Sequence, residues 1–568
     1  MKNLIFPLII IILSNIGCNQ PQKNVNISDS IRLNQIGYYP QSSKQFIVAD
    51  SIASHFKIID GNGKSVFEGE LIDNGISEAS GEGVLQGDFS KLTEEGLYYI
   101  QIDGNFTSYP FVIKENLYSE ALVAAIKSYY YQRASMPIDE KFGGMWARKS
   151  GHPDNNCYYH PSSGRTEGIL DSRGGWYDAG DYGKYIGNAC LSTGQMLLLL
   201  EQFPDIIPDG ALNIPESGNG IGDLYDELKY ELDWILTMQD DDGGVYHKLT
   251  ASTFSGFVMP EEYDLDRWII GKGTAATLNF AAVLAQASRI YKNIDTHWSE
   301  IALDASQKAW VWALKNNDIE FNNPKDVSTG EYGDDYFGDD FYWAAAELYL
   351  TTKNEEYLNY LQQNNKHYIH ELTNSWKFFI RNNAFHSLIE NASQLDEVFI
   401  NNLVQSHIKL ADEILEQINA NPYKIALNRF EWGSNSDILN QAVILCIAHN
   451  ITNEDKYLIG AEQINDYIYG KNATGYCFLT GFGSKQVMFP HHRPSGADGI
   501  DEPIPGFIVG GPNNDRQDIS QVHYLHAMPA NSFMDEEESY ASNEVCLNWN
   551  APAVYVLGYL EKANRSHD

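Results

Sequence analysis

Residues 220–239 read GIGDLYDELKYELDWILTMQ. Ile221, Leu224, Leu228, Leu232 and Ile235 recur at intervals of three and four, the period that lines one face of an α-helix. The same texture runs through most of the chain. It predicts helices over 117–132, 182–203, 220–239, 273–292, 297–316, 340–352, 354–370, 376–391, 397–418, 436–450, 453–470 and 543–563. Several are joined by long Gly- and Asp-rich connections, and long loops in a compact domain are usually functional. A dozen helices in one domain can close as an inner and an outer ring with their loops gathered at one end.

Before residue 116 the texture is strand and turn. KQFIVAD, HFKIID, KSVFEGEL, GLYYIQI and SYPFVI alternate with turn signals such as DGNGK at 60–64 and TEEGL at 93–97. About seven short strands in this span predict a small β-sandwich. Further upstream, Lys2 precedes the apolar run Leu4–Leu13 and then SNIGC, ending at Cys18. The run is too short to span a bilayer and reads as an export signal. Its ending resembles a lipoprotein signal cleaved before an acylated Cys18, although Asn15 stands where an aliphatic residue is usual. The expected organisation is a signal over 1–18, a tether over 19–28, a β-sandwich over 29–115 and a helical domain over 116–568. The mature chain is then exported and lipid-anchored to the cell envelope, with plain secretion as the alternative.

A net charge of −37 repels nucleic acid and anionic lipid, which removes both as direct partners and leaves the lipid tail as the only membrane contact. Apart from Cys18, the five cysteines have no regular spacing and form neither a disulfide framework nor a CxxC metal pattern.

Three loop stretches are dense in chemistry. The first, GGWYDAGDYGKY at 174–185, sets Asp178 and Asp181 three residues apart, at a mutual electrostatic cost. Both could face one water, one carboxylate taking its proton while the other holds it. The bland alternative makes Asp181 the N-cap of the helix that follows. Gly174, Gly175 and Gly180 allow tight turns and close approach to a ligand. The second stretch, TGFGSKQVMFPHHRP at 480–494, holds His491, His492 and Arg493. Adjacent histidines on a strand point opposite ways, so one histidine and Arg493 read as donors to a polar ligand and not as a metal site. In the third, FMDEEESYASNEVCLNWNA at 533–551, Glu544 opens an apolar helix between Tyr540 and Trp549. A carboxyl in such surroundings keeps its proton and can donate it; alternatively it is an ordinary acid favouring a helix dipole. Two separate carboxylic roles with His and Arg donors are the equipment of glycosidic cleavage by a base and an acid.

These stretches, together with KGTAATLNFAAVLAQASR, DDFYWAAAELYL, FEWGSNSDILNQA and SYASNEVCLNWNAP, resemble family 9 glycoside hydrolases carrying an N-terminal immunoglobulin-like domain. The resemblance covers about residues 30–563. It implies a mainly α fold, an (α/α)6 barrel behind the sandwich, and hydrolysis of β-1,4-glucosidic bonds with inversion. By resemblance Asp181 is the general base, Asp178 orients the water and Glu544 is the general acid. His491 and Arg493 match a PHxR element that binds sugar, Asp535 the acidic position nine residues before the acid, and Tyr540 the aromatic between them. Trp432 in FEWGSN is a candidate sugar platform.

No cofactor is needed for such chemistry. Relatives often hold zinc beside the first catalytic loop, but QRAS at 132–135 and SGHP at 150–153 lack the cysteines, so zinc is not expected. Structural Ca2+ could use EYGDDYFGDD at 331–340 or GGPNNDRQD at 510–518, unless these are solvated acidic loops. The expected activity is that of a monomeric endo-β-1,4-glucanase acting on cellulose, mixed-linkage glucan or xyloglucan. The alternatives are an exo-acting β-glucosidase or β-glucosaminidase and, from another class, a catalytically dead sugar-binding surface protein.

Overall fold

The computed structural model describes residues 26–103, 106–165, 167–364 and 379–564. The expected signal and Cys18 lie outside these residues. The chain enters the described region on strand Asn26–Ile27, which pairs in parallel with Phe106–Thr107 and so uses two positions expected in the tether. Two sheets follow. Gly96–Ile102 and His55–Asp60 anchor one, and Gln45–Ala49 and Gly83–Asp88 the other. The long strand Ser65–Ile76 serves both, pairing with His55–Asp60 through Glu70 and with Gly83–Asp88 from Leu71 onward. In His55–Asp60 the period-2 pattern puts Phe56 and Ile58 inward and His55 and Lys57 outward. Phe46 of one sheet meets Phe56 of the other edge to face, with centroids 4.8 Å apart, and this packing fills the sandwich core.

The sandwich is bolted to the helical domain by buried polar contacts. Asn34 donates to Asp466 at 2.9 Å and to the Tyr118 hydroxyl at 2.7 Å. Glu561, near the chain's end, accepts from Tyr39, from the Tyr118 backbone N–H and from Ser119. Such contacts fix the relative position of two bodies that hydrophobic burial alone would leave free to slide.

The helical domain is an (α/α)6 barrel. Ile186–Gln202, Thr274–Tyr291, Gly338–Thr352, Phe379–Glu390, Ser434–Thr452 and Leu547–Ala563 form the inner ring and, in the fourth of them from residue 382 on, are buried on nearly every face. Ser119–Gln132 precedes them in sequence, and between them come Asp223–Thr237, Thr296–Lys315, Glu355–Gln363, Glu397–Ala420 and Asp455–Ile468. Several of these outer helices bury a single stripe. In Asp223–Thr237 that stripe is Leu224, Leu228, Leu232 and Ile235, as the 3.6-residue period predicts. Ile186–Gln202 packs on both Leu547–Ala563 and Thr274–Tyr291, which brings the end of the chain beside its first inner helix.

Two helices start four residues later than expected, and both shifts matter. The helix expected from 182 begins at Ile186, with Tyr185 at its N-cap and no side-chain cap. Asp181 therefore does not cap it; its carboxylate accepts the Gly183 N–H at 2.9 Å. The helix expected from 543 begins at Leu547, and Glu544 stands before it in extended backbone. Glu544 is thus not a first-turn helix acid. A small sheet of Cys157–Tyr159, Ile169–Leu170, Lys184–Tyr185, Tyr246–Thr250 and Trp268–Lys272, not expected from sequence, holds the loops at this end of the barrel.

Candidate active site

Extended backbone around Glu544 is the spine on which the three loop stretches meet. Cys546 bridges antiparallel to Ala179, Glu544 parallel to His491, and Val545 antiparallel to Val509. The bonds are Leu547 N–H to Asp178 O at 2.8 Å, His491 N–H to Asn543 O at 2.9 Å and Gly510 N–H to Glu544 O at 2.9 Å. Segments hundreds of residues apart in sequence are thereby registered to one another. Gly180 is required here by close approach: a Cβ would lie 2.1 Å from the His491 carbonyl oxygen. The neighbour that needs this glycine is therefore protein backbone, and not a ligand.

The spine floors a cavity of about 380 Å³, lined among others by Asp181, Glu544, Tyr332, Asn188, Trp432 and Trp549. Asp178 stands behind that wall, fully buried. Asn188 donates to both of its carboxylate oxygens at 3.0 and 3.1 Å, and the Tyr332 hydroxyl to one of them at 2.9 Å. Burial, then the charge of Asp181, pushes the Asp178 pKa up to about 8, against the pull of those two donors. Glu544 is raised well above the ordinary carboxylate range, first by burial and then by Asp181, with Arg493 opposing. Glu544, which holds its proton, and the Asp181 carboxyl thus line one cavity.

His491 and His492 face opposite sides. His492 is buried, with its nitrogens near Ser495 and Gln132, while His491 borders the aromatic rings of Phe257 and Tyr540. Burial and Arg493 hold His491 down at about 4, so it is a neutral imidazole near pH 7. Its Nδ1 bonds the Glu537 carbonyl. Arg493 spends two donors on backbone, Nη1 on Gly180 O at 2.8 Å and Nε on Ser255 O at 3.1 Å. Asp535 accepts the N–H groups of Met488 at 2.9 Å and Phe489 at 2.8 Å, and Asn543 at 3.3 Å. Its carboxylate sets the loop that carries His491 and is not among the cavity's lining groups. Tyr540 and Trp432 tilt together with centroids 5.5 Å apart, Trp432 being 42% exposed at the cavity rim.

Tyr332, Asn188 and Cys546 were not picked out from sequence as site residues. Tyr332 lies inside EYGDDYFGDD, one of the two candidate Ca2+ stretches, and its hydroxyl reaches Asp178. Cys546 Sγ lies 4.0 Å from Asp178 and donates to Asn548. Behind the DAGD loop, Glu231 accepts the Trp176 N–H, and Glu227 accepts Trp176 Nε1 at 2.8 Å while paired with buried Arg133.

The residues at the position beside the first catalytic loop considered for zinc do not fit that metal. Ala134 is buried against Tyr177 and Tyr182, and a Cβ at Gly151 would meet Pro260 at 2.5 Å. At the second calcium candidate, Asp518 already accepts from Tyr524, Ser539 and the Ala541 N–H. Among the described residues, no three His, Cys, Asp or Glu side chains group so as to hold a metal ion. No described helix is long and apolar enough to cross a membrane.

Comparison with known proteins agrees with this architecture. The family description glycosyl hydrolase family 9 matches residues 118–557, and cellulase N-terminal Ig-like domain matches 26–106. A Bacteroides ovatus protein named xyloglucan-specific endo-beta-1,4-glucanase BoGH9A is 40% identical over 95% of this chain and 95% of its own. Endoglucanase D of Acetivibrio thermocellus is 34% identical over 94% of this chain and 84% of its own. A solved structure titled Bacteroides ovatus GH9 superposes with a TM-score of 0.88 at 39% identity, covering 95% of this chain and all (100%) of that one.

Proposed function

The chain belongs to glycosyl hydrolase family 9 and is a glycosidase, and from that premise we propose that it is an inverting endo-β-1,4-glucanase whose base is Asp181 and whose acid is Glu544. The observation that carries the reading is the pairing of Asp181 and Glu544 in the wall of one cavity, with Glu544 holding its proton. A β-1,4-linked glucan lies across the cavity with its scissile oxygen toward Glu544. A water on the other side of the sugar gives its proton to Asp181 as its oxygen attacks the anomeric carbon. The bond to the leaving oxygen breaks, and that oxygen takes the Glu544 proton. Inversion requires the two carboxyls to stand roughly 6.5–9.5 Å apart, leaving room for the water.

Asp178 serves that water indirectly. Below about pH 8 it keeps its own proton, which leaves the role of base at the water to Asp181. Through Asn188 and Tyr332 it fixes two groups of the cavity wall. His491, a neutral ring beside Tyr540 and Phe257, offers Nε2 to a sugar hydroxyl. Trp432 and Tyr540 provide a face on which a sugar ring stacks. Arg493 and Asp535 hold the loops in place. No step needs a metal ion.

The relative named for xyloglucan supports a branched β-1,4-glucan as the substrate of this chain too. Viscosity loss and product sizing on xyloglucan, mixed-linkage glucan, cellulose and chitosan oligomers test this. Rapid viscosity loss with mid-sized products is the expected result, and release of single sugars from chain ends would replace the endo reading by an exo one. Proton NMR should show the α-anomer first from a β-linked substrate; a β-anomer appearing first would overturn inversion.

Export by the 1–18 signal and anchoring through acylated Cys18 complete the reading, with the mature chain acting as a monomer. The short apolar run ending at Gly17–Cys18 supports it. Cys18→Ser should move the protein from the membrane fraction to the soluble one, and unchanged retention would count against the anchor.

A further inference from the structure

One carboxyl in the cavity wall has no part in the reaction described. Asp437 lies in the first turn of inner helix Ser434–Thr452, and it lines the cavity together with Trp432, Asn548, Trp549 and the two reacting carboxyls. It is 5% exposed. Its Oδ2 is buried and has no hydrogen-bond partner among the described residues. An unpaired buried carboxyl costs free energy that a polar partner would recover. Burial, and then the nearby charge of Glu431, holds its pKa well above the ordinary range, so it enters the cavity able to donate as well as accept. The neighbouring walls are of two kinds. Trp432 and Trp549 contribute indole rings, whereas Asn548 and Ser436 contribute small polar groups. Ring faces beside an edge of hydrogen-bonding groups suit a pyranose, which is apolar on its faces and hydroxylated around its rim.

We infer that Asp437 is a substrate-binding residue, hydrogen-bonding a hydroxyl of the sugar that occupies the Trp432–Trp549 side of the cavity. This rests on the glycosidase reading above and adds to it a residue that holds the substrate without exchanging a proton with the reacting atoms. The substrate hydroxyl then supplies the partner that the free protein lacks. Binding is strengthened because the wall group has no competing protein bond to break.

The test separates binding from turnover. Cellotetraose is titrated calorimetrically into the full chain carrying Glu544→Gln, and into the same chain carrying Asp437→Ala as well. The expected result is affinity weaker by about tenfold in the double variant, the scale of one lost hydrogen bond to a buried polar group. The melting temperature should not fall, since the removed carboxyl had no protein partner at Oδ2. Equal affinity in the two proteins would overturn the inference. So would a weakened affinity accompanied by a lowered melting temperature, which would mark a structural role. Asp437→Ser, too short to make the same reach, is read in the same way should the alanine variant fail to fold. Turnover of Glu544→Gln itself tests the glycosidase reading. If that protein still hydrolyses the tetrasaccharide at the native rate, the assignment of Glu544 fails on its own. Asp437 is then judged by Asp437→Ala alone, with a tenfold rise in KM expected and an unchanged KM overturning it.

Discussion

The Tyr332 hydroxyl donates to Oδ2 of Asp178 at 2.9 Å, joining two loops that are 154 residues apart in sequence. Tyr332 also lines the cavity. The bond thus couples a group behind the wall to a group in it, and its effect can be isolated by removing one oxygen atom. Tyr332→Phe should lower kcat about tenfold with a smaller change in KM, because Asn188 still holds the carboxylate. Steady-state kinetics on a soluble β-glucan check this, and an unchanged kcat would remove Tyr332 from the positioning of Asp178.

Asp181→Ala and Glu544→Ala should each lose turnover by about 10²–10⁴-fold with the fold intact. They should differ on an activated aryl β-glycoside. Glu544→Ala should be partly spared there, because the leaving group needs little protonation, whereas Asp181→Ala should not, because water must still be activated. Equal losses on both substrates would contradict the division of roles.

The alkaline limb of the pH profile reports the loss of the Glu544 proton. Burial and Asp181 hold that proton well above the ordinary carboxylate range, so kcat/KM should persist into neutral pH. On an aryl glycoside, Glu544→Gln should lack the limb. A limb of the same position in that variant would assign it to another group.

Stability should carry the signature of Asp178. Its folded pKa of about 8 lies above an unfolded value of roughly 3.9. The folded state binds the proton more tightly, so the contribution is full below about pH 4 and is lost as pH rises toward 8. Asp178→Asn removes that loss. Urea midpoints compared at pH 5 and pH 8 should therefore shift in favour of the variant at the higher pH. A shift in favour of the native protein would reverse the sign of the argument.

The purified protein should hold no stoichiometric zinc, because Gly151 leaves no room for a ligating side chain against Pro260 and Ala134 is buried among tyrosines. Elemental analysis giving one zinc per chain would sink this.

Sequence alone carried the architecture because periodicity is local. The stripe Leu224, Leu228, Leu232 and Ile235 and the alternation of Phe56 and Ile58 are each written within a dozen residues, and burial follows from them. The carboxyls of the candidate site stood out for a different reason: Asp178 and Asp181 form a costly pair, and Glu544 stands among aromatics, in motifs dense enough to carry a family resemblance. Where the helices begin was not legible. Tyr185 and Cys546 belong to extended segments whose ladder partners, Lys248 and Ala179, are distant in sequence, and those bridges decide that Asp181 caps nothing and that Glu544 precedes its helix. Tertiary structure alone also placed Tyr332 on Asp178, turned Arg493 and Asp535 toward backbone, and left Asp437 unpaired in the cavity wall. The physical reason is common to all of these. Hydrophobic period is a property of neighbours along the chain, whereas the partner of a buried polar group is chosen among residues that only folding brings within about 3 Å.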